Sequence, residues 1–413
     1  MNGGIPMRLK LAAIAAIAAA GLFVGNAQAG TDYWQHDPAS PGDWFVADNW
    51  SDGIPDITTD TCVQAGTTVV ATGTAAVDHL VLAETGDAEM LQSGGSVQIH
   101  LRLFLAMTYG VTGTYTMTGG TLTMEENAMY VGRFGQGIVR QTGGSISVHD
   151  YLYMGVTGSA YGVYEISGTA SLSTPYLYIG SNGSGEFWQA GGTVSVPYIG
   201  WGFGGGVELA RYYDSRATYD LSGGRLECDY IIVGTGNGAV GEFRQSGGDA
   251  IATRFVAVGY SEGTVGTYVL SDTGCLQADQ LLIAGEDARG NGTLSVEGAG
   301  VTVLVGTYDQ GAKGSLISLI DATGLAPVCV TGVASLHGTW TVLSENASLG
   351  RFHVLVAEGG LSGNFDSIDL PDADWSWGID DGKIIWVNHT PEPATLAMLA
   401  VSGLGLLARR RRP

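Results

Sequence analysis

Residues 113–124 read GTYTMTGGTLTM, and variants of this phrase recur along about half of the chain. Each copy opens on Gly or Ala and has a large apolar residue two positions later. Four positions after the opening stands an apolar residue or Gln, and most copies then have a Gly-Gly pair. The copies begin at Ala88, Gly113, Gly137, Gly162, Gly185, Ala217, Gly241, Gly266 and Gly292. Repetition at this period is typical of solenoids, in which each copy stacks on the next.

Apolar and polar residues alternate within each copy, which is the pattern of a strand with one buried face. In the quoted copy Tyr115, Met117, Leu122 and Met124 occupy the apolar positions. Glycines provide the positive φ that sharp corners need, both at the Gly-Gly pair and near the end of most copies. The glycines at this second corner are Gly132, Gly155, Gly180, Gly234 and Gly259. We therefore predict an all-β chain whose residues 88–305 form a single-stranded parallel β-helix of about nine coils, stacked at about 4.8 Å.

Glutamine alternates with apolar residues at the fourth position after each opening residue. The site reads Gln92, Met117, Gln141, Ile166, Gln189, Leu221, Gln245, Leu270 and Val296. If one copy makes one coil, each inward amide lies between apolar neighbours and must bond to backbone at a turn, because an unpaired buried amide is costly. If two copies make one coil, the glutamines stack as a ladder. The usual repeat size favours one copy per coil.

Both ends of the chain resemble targeting signals. Arg8 and Lys10 precede an apolar stretch and the small-residue cleavage site Ala27-Gln28-Ala29, so residues 1–29 are predicted to be a secretory signal peptide, with a retained anchor as the alternative. At the other end stand Pro391-Glu392-Pro393, fifteen uncharged residues, and the four arginines Arg409, Arg410, Arg411 and Arg412. We expect a short apolar helix at each end, the second as a brief membrane anchor with its arginines on the cytoplasmic side.

Residues 391–413 closely resemble a PEP-CTERM sorting signal. This resemblance implies export, recognition by an exosortase-type membrane protease, and release to the cell surface or an extracellular polysaccharide matrix. The alternative is a plain tail anchor. Export also implies the translocon and signal peptidase as partners.

The flanks of the repeat are predicted to be β-rich caps. Residues 30–87 contain Trp34, Trp44 and Trp50, which we expect to plug the open end of the core, and they look like the entry segment of other repeat-built PEP-CTERM surface proteins. Residues 306–390 resemble the end of autotransporter-like passenger rods. Caps are needed because a solenoid otherwise leaves strand edges unpaired.

The body between the two end signals is strongly acidic. Six of the 18 basic residues lie in the end segments, which leaves 12 against 40 acidic residues, so the body should repel nucleic acid. The four cysteines, Cys62, Cys228, Cys275 and Cys329, lack metal-ligand spacing and allow at most two disulfides. Cys228 and Cys275 stand at apolar strand positions, which favours buried free thiols.

No residue pattern indicates catalysis, a cofactor or a metal site. The seven histidines show no metal-ligand spacing; they are His36, His79, His100, His149, His337, His353 and His389. Acids recur near one corner of several copies, which would suit a β-helix polysaccharide lyase or hydrolase. These are Glu125, Glu126, Asp150, Asp229 and Asp279. Because non-acidic coils intervene, we expect solvated turn acids, with loosely bound Ca²⁺ as the alternative.

One copy carries about eight extra residues, within 201–216. This insertion concentrates Trp201, Phe203, Arg211, Tyr212 and Tyr213, which is a composition suited to contact a glycan by ring stacking and Arg hydrogen bonds. A neutral loop is the alternative. Tyrosines could extend the patch, with half of them expected to point inward by alternation; they are Tyr151, Tyr153, Tyr176 and Tyr178.

Three functions follow in order of preference. The first is a non-enzymatic structural or adhesin-like protein of the cell surface or matrix. The second is a carbohydrate-binding surface protein that uses the 201–216 loop to hold extracellular polysaccharide. The third is a β-helix polysaccharide lyase or hydrolase.

Overall fold

A computed structural model describes residues 30–197, 205–285 and 290–390. The described chain is all-β, as predicted, with 59% of residues in strands and about 1% in helix. The two apolar helices expected at the ends fall on residues outside this description. A short 3₁₀ turn lies at Ala47–Asn49.

The strands are, in chain order, β1 Thr31–Tyr33, β2 Gly42–Asp43, β3 Asp60–Val63, β4 Gly66–Val70, β5 Thr74–Leu82, β6 Ala88–Gln92, β7 Ser96–Leu105, β8 Thr112–Met117, β9 Thr121–Met124, β10 Met129–Val131, β11 Gln136–Gln141, β12 Ser145–Ser147, β13 Tyr151–Met154, β14 Tyr161–Ile166, β15 Ser171–Ser173, β16 Tyr176–Ile179, β17 Ser184–Val196, β18 Gly206–Leu209, β19 Arg216–Val233, β20 Val240–Gln245, β21 Asp249–Val258, β22 Val265–Leu270, β23 Cys275–Ile283, β24 Asn291–Glu297, β25 Thr302–Gln310, β26 Gly314–Ile320, β27 Val328–Val330, β28 Ala334–Leu336, β29 Thr339–Ser344, β30 Gly350–Ala357, β31 Leu361–Gly363, β32 Ser367–Asp369, β33 Trp375–Asp380 and β34 Ile384–His389.

Each coil has three faces, which we name A, B and C. In the coil that contains the quoted phrase, β8 lies on face A, β9 on face B and β10 on face C. Each strand pairs in parallel with its counterpart one coil later, β8 with β11, β9 with β12 and β10 with β13. Some strands run round corners, so that β17 serves faces A and B, and β19 serves all three faces. The chain is therefore a parallel β-solenoid.

The solenoid has about 13 turns, so the expected nine coils were too few. Parallel pairing begins at β1 with β3 and continues to β29 with β32. These flanking coils stack by the same alternation of buried and exposed residues. They lack the complete phrase on which the repeats were counted, and for that reason the sequence did not reveal them as coils.

Two kinds of glycine corner close the coils, as predicted. Gly144, at the corner between faces A and B, has φ +70°, and Gly155, at the corner between faces C and A, has φ +59°. A Cβ atom at Gly144 would lie only 2.6 Å from the carbonyl oxygen of Gly120 in the preceding coil. Both the backbone conformation and the close approach therefore require glycine at this corner.

One copy of the repeat makes one coil, as predicted. Gln141 lies opposite Ile166, and Ile166 lies opposite Gln189, so two strand spacings separate the glutamines. Both glutamines are fully buried. The Gln141 Nε2 atom donates to the carbonyl of Gly144 at the turn and to that of Ser171 in the next coil, over 3.2 and 2.9 Å. The expected bonds from each amide to backbone are thus confirmed.

Each glutamine also accepts a bond that the sequence analysis did not foresee. The Tyr164 hydroxyl, one coil further on, donates to Gln141 Oε1 over 2.7 Å. The same pairing recurs along face A. The pairs are Tyr115 with Gln92, Tyr219 with Gln189, and Tyr268 with Gln245. Coils with an inward Gln therefore alternate with coils that supply a Tyr hydroxyl, and each amide is satisfied on both its nitrogen and its oxygen.

The two ends of the described body are closed differently. At the first, Trp34, Trp44 and Trp50 are buried and meet edge to face, with centroids 4.8 and 4.6 Å apart. At the second, β34 pairs antiparallel with both β30 and β33. This antiparallel pairing covers the free edge of β30, which a further parallel strand could otherwise extend.

The four cysteines are free thiols. Cys228 points into the core as expected, and burial raises its pKa. The expectation for Cys275 was wrong, because its neighbour Leu276 takes the inward position and Cys275 lies partly exposed on face B. The inward and outward positions of this strand are therefore shifted by one residue relative to those predicted from the sequence.

Candidate functional site

The predicted tyrosine patch lies on the outer side of face C. In β13 the inward residues are Leu152 and Met154, and both Tyr151 and Tyr153 point outward. The expectation that half of the tyrosines point inward was wrong, because residues two apart in a strand share a face. The same holds in β16, where Tyr176 and Tyr178 accompany inward Leu177 and Ile179.

Parallel register brings these rings into contact. Tyr151 lies opposite Tyr176 with ring centroids 5.0 Å apart, and Tyr153 lies opposite Tyr178 at 5.3 Å. Two rings from earlier coils continue the Tyr153 column. They are Tyr130, 5.4 Å from Tyr153, and Phe104, 4.9 Å from Tyr130. We call these six residues, Phe104, Tyr130, Tyr151, Tyr153, Tyr176 and Tyr178, the aromatic face.

Sequence reasoning missed Phe104 and Tyr130. Each stands on the same outward column as Tyr153, in successive coils. An alignment of the copies on their face C strands, instead of on the face A phrase, would have shown an aromatic residue at this position in four consecutive coils.

The first three rings of this column, Phe104, Tyr130 and Tyr153, stack along the coil axis and cover one another's faces, whereas the Tyr178 ring is tilted by 44° from Tyr153. The planes of Phe104 and Tyr130 are inclined by 20°, and those of Tyr130 and Tyr153 by 13°. Arginines lie over both ends of the aromatic face. Arg133 Cζ is 4.6 Å from the Phe104 centroid, and Arg211 Cζ is 3.7 Å from that of Tyr178. The column thus presents ring edges and hydroxyl groups outward, with cations against the two terminal rings.

Arg211 joins the predicted insertion to the aromatic face. Its Nε lies 3.7 Å from Glu208 Oε2, and Glu208 stands directly opposite Tyr178. The Tyr230 hydroxyl donates to Glu208 Oε1 over 3.2 Å. Burial raises the pKa of Glu208, an effect that Arg211 opposes. Burial disfavours a charged Arg211, but Glu208 and the neighbouring phenols raise its pKa above the ordinary value, so the guanidinium stays charged.

Gly206 makes room for Tyr230 in this network. It lies between Tyr176 and Tyr230 in the column, and the Tyr230 ring occupies the space where a side chain would stand. Burial raises the pKa of both Tyr178 and Tyr230, so both phenols stay neutral and can donate.

The other residues of the insertion are less enclosed. Tyr213 is 72% exposed and Tyr212 is 38% exposed, and the Tyr212 ring lies 5.3 Å from Arg211 Cζ. Trp201 and Phe203 lie outside the described residues. The signal cleavage residues Ala27 and Ala29 and the sorting residues from Pro391 to Arg412 also lie outside them.

The predicted corner acids do not gather into one site. Glu125 lies beside His100 at 3.4 Å, and Asp150 beside His149 at 3.0 Å. Asp229 accepts a bond from the Thr253 hydroxyl over 2.7 Å. Each of these three acids has its own local partner at the corner between faces B and C.

Comparison with known protein families gives a match in the C-terminal segment of the chain. Residues 389–412 match the PEP-CTERM protein-sorting motif. No curated protein and no solved structure matches the chain. None of the helices in the described ranges has the length and apolar character needed to cross a membrane.

The motif implies export, processing by an exosortase-type membrane protease, and a location at the cell surface or outside the cell. The chain is therefore a parallel β-solenoid that carries a PEP-CTERM protein-sorting motif at residues 389–412.

Proposed function

We propose that this exported solenoid is a non-enzymatic structural or adhesive component of the cell surface or extracellular matrix. The observation that carries the proposal is the sorting motif attached to an unbroken run of parallel coils. A solenoid adds length coil by coil on one continuous core, which suits a spacer or an adhesive stalk.

The outward charges of face A support a structural reading. Arg140 lies 3.3 Å from Glu165 in the next coil, and Arg244 donates to Glu242 in its own strand. These side chains are about half exposed or less, and pairs of this kind each contribute about 0–1 kcal/mol. Such weak pairs, one between coils and one within a strand, are typical of a solvated scaffold.

The test is made on the surface protein itself. Mass spectrometry of the mature chain should find its C-terminal end near Pro391. Deletion of residues 30–390 should reduce the cohesion of the cells or the amount of extracellular matrix that stays attached to them. Depolymerisation of an acidic polysaccharide that depends on one named carboxylate would overturn the proposal in favour of a lyase or hydrolase.

A second candidate function is carbohydrate binding by the aromatic face together with the insertion. Stacking on a sugar needs a free ring face. The rings of the Phe104 column cover one another, whereas Tyr213 is largely exposed beside the buried Arg211 network. We therefore assign the contact to Tyr212 and Tyr213, with the tyrosine hydroxyls of face C as further donors.

Affinity electrophoresis in gels that contain matrix polysaccharide tests this function. Replacement of both Tyr212 and Tyr213 by Ala should abolish retardation, and Trp201→Ala tests the rest of the insertion. The matched control is Tyr109→Ala, a 63% exposed tyrosine outside the patch. Equal retardation of all variants would exclude this surface.

A further inference from the structure

The first coils bring two carboxylates and an imidazole together outside the aromatic face. Asp60 lies in β3, and Asp78 and His79 lie in β5, where Asp60 stands directly opposite His79. One ligand atom from each residue lies within 4.8 Å of the other two. The His79 Nε2 to Asp78 Oδ2 distance is 3.9 Å.

A local irregularity explains why two consecutive residues can serve one site. The register of β5 against β7 shifts between Val77 and His79, at the corner between faces B and C. Val77 and Leu80 point into the core, so Asp78 and His79 both lie on the outer side. The corner thus aims two neighbouring side chains toward Asp60 of the preceding coil.

Two polar atoms of this cluster are buried without a partner. Neither Asp60 Oδ1 nor His79 Nδ1 makes a hydrogen bond, and the His79 side chain is only 15% exposed. An unsatisfied buried polar group costs about 1–3 kcal/mol, so a missing partner is indicated. Arg102 stands opposite His79 in the next coil, but its buried Nε is also unpaired and no ion pair with Asp60 forms.

We propose that Asp60, Asp78 and His79 bind a divalent transition-metal ion, with Zn²⁺ as the representative. Two carboxylate oxygens and one imidazole nitrogen form a ligand set of the kind found in such sites. Ligand atoms around tetrahedral zinc lie about 3.4 Å apart for bonds near 2.1 Å, so small side-chain rotations close the observed spacing. With Arg102 nearby, the metal-free cluster has one excess negative charge, which favours a cation.

The ion would join β3 to β5 and so fasten the first coils, next to the tryptophan cluster at that end. Sequence reasoning missed the set because its ligands come from two coils and are 19 positions apart at Asp60 and His79. Only the stacking of one coil on the next brings them together.

The test titrates Zn²⁺ into the exported protein after removal of metal with a chelator. Calorimetry should show one Zn²⁺ per chain, and both Asp60→Asn and His79→Gln should weaken binding at least tenfold. His149→Gln is the matched control, because His149 lies at the same corner beside Asp150 but belongs to no three-residue ligand cluster among the described residues. Its affinity should equal that of the wild type.

A stability measurement separates loss of the site from loss of the fold. Saturating Zn²⁺ should raise the melting temperature of the wild type by several degrees and leave that of Asp60→Asn unchanged. Without metal, Asp60→Asn should melt no lower than the wild type, because a neutral amide replaces a partly buried unpaired carboxylate. Wild-type affinity in His79→Gln, or stabilisation by Ca²⁺ but not by Zn²⁺, would overturn the proposal.

Discussion

Replacement of Tyr164 by Phe tests the alternating Gln and Tyr layers directly. The substitution removes one hydroxyl group, which donates to Gln141 Oε1 over 2.7 Å, and leaves the packing of the ring unchanged. Both side chains are fully buried, so water cannot replace the lost donor. An unsatisfied buried acceptor costs about 1–3 kcal/mol, and we expect a loss of about 2 kcal/mol in the free energy of unfolding.

The partner variant and the double variant complete a cycle. Gln141→Met removes the acceptor, but the Gly144 carbonyl keeps its bond from the Ser171 amide. In the Gln141→Met variant the Tyr164 hydroxyl has lost its acceptor. Adding Tyr164→Phe to that variant should therefore lower the free energy of unfolding only a little. The coupling between the two sites should be about 1–2 kcal/mol.

The assay is guanidinium unfolding followed by far-ultraviolet circular dichroism, with the free energies compared at a common denaturant concentration. Tyr213→Phe, at a largely exposed ring, is the control and should change stability by less than about 0.5 kcal/mol. A loss below about 0.5 kcal/mol for Tyr164→Phe, or a coupling near zero, would refute the claim that these hydroxyls satisfy the buried amides.

Two further predictions concern the corners and the aromatic face. Gly144→Ala should lower the free energy of unfolding by more than about 2 kcal/mol in a thermal melt, because its φ is +70° and the new Cβ would approach the Gly120 carbonyl oxygen. The control is Gly158→Ala, where nothing lies within 4 Å of the new Cβ, and it should be nearly neutral. Arg211→Ala should cost about 1–3 kcal/mol and raise the pKa of Glu208 further, since it leaves a buried carboxylate without its cation. The control is Arg216→Ala, at an exposed arginine, which should change stability little. If NMR titration shows the same pKa for Glu208 in Arg211→Ala as in the wild type, the pairing of Arg211 with Glu208 is contradicted.

The fold could be predicted from local signals that repeat. Alternation around Tyr115 and Met117 identified the strands, and the Gly-Gly pairs identified the corners. The alternation of glutamines indicated buried amides bonded to backbone. The Tyr partners of the glutamines were missed because each hydrogen bond joins the second position after the opening residue in one coil to the fourth position in the coil before it. Comparing the same position from copy to copy cannot show such a bond.

The candidate sites were harder to predict, because outward residues follow no hydrophobic pattern. The Arg211 to Tyr178 contact depends on which face the insertion returns to, and the Asp60 to His79 contact depends on the register of two flanking coils. Neither coil carries the glycine phrase that fixes register elsewhere. The sequence therefore indicated the insertion and four tyrosines that could extend its patch, but not the rings of Phe104 and Tyr130 or the contact of Arg211 with Tyr178.

The alternation of Gln and Tyr layers sets a parity rule for changes in length. Excision of one coil, residues 137–161, would bring Tyr164 next to Met117 and leave its hydroxyl facing a thioether instead of an amide. Excision of two coils, residues 137–184, would place the Phe187 and Gln189 coil after the Tyr115 and Met117 coil, where the original order is preserved. Viable shorter or longer relatives of this protein should therefore differ by even numbers of coils in this region.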